Sequence, residues 1–237
     1  MNQAHWKFQE RLGSEGAFRE LIDRLCPDYA QNRLCIALER KEATMLDYQS
    51  LLISIFHQTF WGASSLALAG ATTEARRHVV KEYLFKHADE EKTHWTWALN
   101  DLLANEYAGP DITSCFPRPH CQAYISFNLQ IAQAKPLARL GIATMLETLG
   151  ATYGKKYANQ LCQQLNLRPA QASFFYGHGD TDVGHTEELW GMLRSAALSP
   201  IEWGMLCFAS ETAFKLYNSM YDEAAELAKQ SDFGLKV

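Results

Sequence analysis

Apolar residues along this chain recur at the three- and four-residue spacing of helix faces. No segment shows the strict alternation of a half-buried strand, and there is no Asn-Gly or Asp-Gly hairpin turn. The pattern predicts helices near 15–25, 28–42, 44–70, 73–106, 120–134, 136–163, 169–197 and 200–230, with 107–119 as the clearest loop. Pro27, Pro110, Pro117, Pro119, Pro136, Pro169 and Pro200 fall almost entirely between the periodic segments and read as punctuation. Gly70 reads as a helix stop, followed by a threonine cap with Glu74 in the next first turn, and Ser199-Pro200-Ile201-Glu202 as a helix start. Long helices with short connections predict an all-α antiparallel bundle. It is expected to form a single domain over 1–237, with its core at about 40–230 and a loose tail from 231.

Composition narrows the class. With 47% hydrophobic residues in 237, the chain can bury a substantial core, and a net charge of -5 with no basic run argues against nucleic acid or an anionic membrane surface as partner. The stretch from Leu51 to Ala71 is long enough to span a bilayer, but His57, Gln58 and Thr59 sit near its middle, so a buried core helix is the better reading. The opening residues lack the basic-then-apolar profile of a secretory leader. Six scattered cysteines without a C-x-x-C pair read as free thiols, which places the chain in the cytoplasm.

Two segments carry the candidate chemistry: His87-Ala-Asp-Glu-Glu91-Lys-Thr-His94 and His178-Gly-Asp-Thr-Asp182-Val-Gly-His185. Helix positions i, i+4 and i+7 span an arc of only about 60°. His178, Asp182 and His185 therefore share a face, as do Glu91 and His94, with His87 beside them as an additional candidate. Imidazole nitrogens and carboxylate oxygens are the ligands that divalent iron, manganese or zinc accept, and helical bundles present them inward from facing helices. Glu147 lies in an almost wholly apolar helix, where an unpaired carboxylate is costly and a metal would neutralise it. Gly177, Gly179 and Gly184 each cost roughly 1 kcal/mol against alanine in a helix, so this segment is expected to be distorted unless its ligands hold it. Asp180 points off the shared face.

Each residue also has an ordinary reading. His5, His57, His78 and His120, taken singly, are surface or satisfied core residues. Glu91 could sit in a solvated charged face, His94 could stack among Trp95 and Trp97, and Glu147 could pair with a lysine such as Lys155. The combination at helix-face spacing favours metal.

These residues resemble the haem-oxygenase-like dimetal (diiron) oxidases, the family of CADD-like proteins. That family places an acid and a histidine on one core helix, an acid on a second, and H-x3-D-x2-H on a third. Glu91, His94, Glu147, His178, Asp182 and His185 match that order, with gaps of 53 and 31 residues between His94, Glu147 and His178. Family members place the first acid at different distances before the histidine. Glu91 suits one spacing, whereas the other lands on His87, a departure that makes the site richer in nitrogen. The resemblance covers roughly residues 40–230. It implies a haem-oxygenase-like bundle without haem, holding two Fe ions (Mn or mixed Fe/Mn as alternatives). Such an oxidoreductase uses Fe(II) and O2 to oxidise a small organic substrate that is amino-acid-like or fatty-acid-like. Glu147 is expected to be shared between the ions. His57, Phe60, Trp61, Tyr153 and Tyr176 are candidates for lining the substrate pocket, and homodimerisation is compatible with such a bundle.

Three rivals stay open. A thiaminase-like hydrolase on the same scaffold would need a cysteine nucleophile such as Cys121 or Cys162. A cofactorless oxidase would use the histidines for substrate and O2. A non-enzymatic protein could retain a relict metal site.

Overall fold

The computed structural model describes residues 13–232, so His5 and the last five residues of the expected tail lie outside the described region; Ser231 and Asp232 end the final helix. Nine α-helices are present among the described residues: α1 (Glu15–Tyr29), α2 (Arg33–Glu39), α3 (Met45–Thr72), α4 (His78–Glu91), α5 (Trp95–Ala104), α6 (Pro119–Ala134), α7 (Arg139–Leu165), α8 (Ser173–Ser195) and α9 (Pro200–Asp232).

The sequence fits its helices locally where capping residues are available. Ser14 caps α1, whose Phe18, Leu21, Ile22, Leu25 and Tyr29 form one buried stripe. Pro27 sits inside the last turn of α1 rather than before the next helix, because Asn32 accepts from the Cys35 amide at 2.9 Å and starts α2 there. Thr44 and Asp47 form a reciprocal capping box at the start of α3. Gly70 does not stop α3; the helix runs on to Thr72, and an alanine-sized group at Gly70 would press on the Phe85 ring at 3.2 Å. Helix α3 is long and apolar enough to cross a membrane by length and composition. Tyr48, Leu51, Leu52, Ile55 and Leu66 are all buried in the bundle interior, where α3 meets α4, α5, α6 and α9.

The helix expected over 73–106 is two helices. Between α4 and α5 the ladder tightens to three-residue bonds: His94 N to Glu91 O, Thr96 N to Thr93 O and Trp97 N to His94 O. The freed Lys92 carbonyl is taken by Trp95 Nε1, and Thr96 Oγ1 adds a second bond to Thr93 O. This break sits between Glu91 and His94. Side chains three apart eclipse in such a turn, so it brings the two toward a common azimuth.

Helices α7 and α8 share the most extensive contact in the bundle. Gly150 faces Asp182, Gly154 faces Gly179 and Glu147 faces His185, so the two helices run antiparallel. A Cβ on Gly154 would lie 2.8 Å from Gly179 N and from Phe175 O. The glycines therefore allow close backbone approach, and α8 is continuous across the run expected to be distorted. Packing repays the local glycine cost there.

Candidate metal centre

The break between α4 and α5 delivers Glu91 and His94, the middle of α7 delivers Glu147, and α8 delivers His178, Asp182 and His185. The six converge, and His87 joins them. Two groups have ligand atoms within 4.8 Å of one another: His87, Glu91, Glu147 and His185 in one, Glu91, His94 and His178 in the other. Glu91 is common to both, whereas the sequence pointed to Glu147 as the shared carboxylate.

Within the first group, His87 Nε2 lies 3.0 Å from Glu147 Oε1 and His185 Nδ1 lies 3.3 Å from Glu147 Oε2. His185 Nδ1 is 3.8 Å from Glu91 Oε1. Within the second, His94 Nδ1 lies 2.8 Å from Glu91 Oε2, and the His94 and His178 ring centroids are 5.0 Å apart. His178 Nδ1 donates to the Phe174 carbonyl at 2.9 Å, which leaves its Nε2 as an acceptor. His94 stacks on Trp97 at 4.1 Å, and Phe174 flanks His178 at 4.2 Å, so apolar rings fix both imidazoles.

The donor set fits cations. Glu91 Oε1 and His94 Nδ1 are buried with no hydrogen-bond partner: at 2.8 Å His94 Nδ1 is close to Glu91 Oε2 but not aligned with it as a hydrogen bond. Unpartnered polar atoms in a cluster whose ligand atoms lie within 4.8 Å of one another are suited to a cation. Asp182 lines the same cavity, buried beside Glu147, with Thr181 Oγ1 3.1 Å from its Oδ1. Burial and then the neighbouring Glu147 push its carboxyl up to about 10. Burial opposes the ionised form of Glu147, yet hydrogen bonds from His185 and His87 outweigh it and hold that carboxyl low. Burial likewise works against ionised Glu91, which His94 holds below the usual range. Burial lowers His178, and the Glu147 hydrogen bond raises His185.

Among the described residues no lysine or arginine forms an ion pair with Glu91, Glu147 or Asp182. Lys155 pairs with the exposed Asp180, not with Glu147. Glu90 reaches the rim, 3.8 Å from His185 Nε2.

A cavity of about 90 Å³ opens beside these groups. Tyr153 lines it, its hydroxyl donating to Cys26 O at 2.9 Å. The other pocket candidates lie elsewhere. Trp61 lines a small side hollow. Tyr176 is turned to Asn159, and His57, one residue around α3 from the lining Gln58, packs against Phe56. Phe60 is exposed. Sequence reading missed Arg139, Tyr29, Tyr157, Tyr217 and Tyr221, which all line the cavity. The α7 members, Arg139, Ala143, Leu146, Glu147, Leu149, Gly150, Tyr153, Gly154 and Tyr157, fall on one side of the helix, a signal present in the sequence.

A domain of unknown function with a haem oxygenase-like fold from Shewanella denitrificans OS217 matches with a TM-score of 0.87 at 20% identity, covering 94% of this chain and 97% of that chain. The chain has the haem-oxygenase-like fold. A CADD-like protein of unknown function from Nostoc punctiforme PCC 73102 shares this fold (TM-score 0.65, 19% identity, 89% and 98% coverage). So does the haem oxygenase of Leptospira interrogans (TM-score 0.69, 14% identity, 87% and 97% coverage). No protein-family model and no curated protein matches the sequence.

Proposed function

We propose that this haem-oxygenase-like protein is a non-haem dimetal oxidase, holding two iron ions and oxidising a small organic substrate with O2. The observation that carries this reading is the convergence of three carboxylates and four imidazoles from three places in the bundle, with two ligand atoms buried and unpartnered. Glu91, His94 and His178 would hold one ion; His87, Glu147, Asp182 and His185 would hold the other, with Glu91 within reach of both. Bound divalent iron would supply activation of O2.

The chain's own contribution is geometric and electrostatic. The Phe174 carbonyl fixes the His178 tautomer, and Trp97 and Phe174 keep water from the imidazoles. Three carboxylates against two divalent ions leave a slightly positive centre beside the cavity. A hydrolase with a cysteine nucleophile has less support. The Cys121 thiol donates to Ser54 O and is pushed up to about 12 by burial, and Cys162 is also raised by burial, so neither is activated.

Anaerobic loading with Fe(II), metal counting and O2 uptake test the proposal. About two irons per chain and O2 consumption are expected. His178→Ala should strip most of the metal while helicity persists. Fewer than one iron per chain with no uptake would sink the oxidase reading, and zinc binding without O2 uptake would favour a relict site.

A further inference from the structure

Arg139, at the first turn of α7, is buried to 2% exposure. Its Nε donates to Ser65 Oγ at 2.9 Å, its NH1 has no hydrogen-bond partner, and it forms no ion pair among the described residues. Glu147 and Glu91 act on it only at longer range. A buried guanidinium without an anion carries a large desolvation cost, which makes it an unusual choice for a purely structural position.

Its location supplies a reason. Arg139 lines both the main cavity, with Glu91, Glu147, His178 and Asp182, and the side hollow formed with Gln58, Trp61, Tyr124 and Asn128. The Tyr124 hydroxyl, beside the Asn128 side chain, is a second buried group without an aligned hydrogen-bond partner. Two orphaned donors therefore sit around the hollow. From Arg139 to Glu147 is eight residues, about 12 Å along the helix axis, a span that suits a small organic acid. Much of the remaining wall is aromatic, with Tyr29, Tyr153, Tyr157, Phe174, Phe175 and Tyr217 beside aliphatic residues and Thr59.

We infer that Arg139, assisted by Tyr124, is the anchor for the carboxylate of a small, largely apolar monocarboxylic acid whose other end lies toward the carboxylate–imidazole cluster. A single cation with one neutral donor matches a monoanion. A phosphate dianion would call for more positive charge. The inference rests on the oxidase reading for what happens to the acid, but the anchor itself belongs to the protein alone.

The test is calorimetric titration of metal-free and Zn(II)-loaded protein with straight-chain acids from butyrate to octanoate, benzoate and phenylacetate, each paired with its neutral amide. At least one acid should bind about tenfold or more tightly than its amide in both forms. Arg139→Met should erase that preference without changing metal content, and Arg139→Lys should retain part of it. Tyr124→Phe should weaken the acid and leave the amide unaffected. No acid binding to the wild type, equal binding of acid and amide, or full acid preference in Arg139→Met would each overturn the anchor. Failure to take up zinc or iron with the acid preference intact would instead sink the oxidase reading and leave the anchor standing.

Discussion

Helices α3 and α8 are held in opposite ways. Helix α3 carries its own start signal, the Thr44–Asp47 capping box, and a run of buried aliphatic and aromatic side chains. Helix α8 begins at Ala172, which offers no cap, and carries three glycines in its ligand-bearing half. Its start is held from another helix. Asp101 of α5 accepts from Ser173 N at 2.9 Å, Ser173 Oγ at 2.6 Å and Phe174 N at 2.8 Å, with Tyr48 Oη 3.2 Å away. A borrowed carboxylate does for α8 what a neighbouring residue does for α3. The helix that bears the candidate ligands thus takes its cap from another helix, whereas the helix that bears the core supplies its own.

That contrast can be broken by measurement. Asp101→Ala should be the costliest change, at about 3 kcal/mol or more, because buried amides lose a charged acceptor. Urea unfolding would measure it, and amide exchange at 173–178 should rise first; a loss no larger than that of Thr44→Ala would erase the distinction. Gly150→Ala comes next. Its new methyl would fall 1.7 Å from Asp182 Oδ2, so about 2 kcal/mol of destabilisation and reduced metal content are expected together. Thr44→Ala should cost about 1 kcal/mol and leave metal content unchanged, since only a local cap is lost. The smallest effect has the opposite sign. Gly184 meets nothing within 4 Å, so Gly184→Ala should stabilise by at most about 1 kcal/mol, read as a rise in Tm; destabilisation there would mean that α8 needs its glycine for more than close approach.

What could be read from sequence follows the same division. The all-helical bundle, the position of α9 and the candidate ligands on α7 and α8 depend on period and local spacing, and these were legible. Where neighbours in sequence are not neighbours in cause, reading stopped. The break at Lys92–His94 follows from Trp95 and Thr96 capturing carbonyls, and nothing in an apolar pattern signals it. His87 lies beside the shared face by spacing, yet its Nε2 comes within 3.0 Å of Glu147 Oε1, a contact distant in the chain that spacing does not show. The helix cost of Gly179 holds for an isolated helix, whereas in the bundle Gly154 and Lys155 lie against it. Asp101 and Arg139 were invisible as working residues because their partners, or the lack of them, are set by contacts distant in the chain. The stripe from Arg139 to Tyr157 was present in the sequence, but periodicity alone cannot tell a cavity face from a core face.

Helix α5 is only ten residues long, and it grips α8 twice. His94, at its N-terminal boundary, meets the His178 ring, while Asp101, two turns on, holds Ser173 and Phe174. Such a stub acts as a lever between two fixed points. A displacement of α5 would therefore reach the His94–His178 ring pair and the start of α8 together.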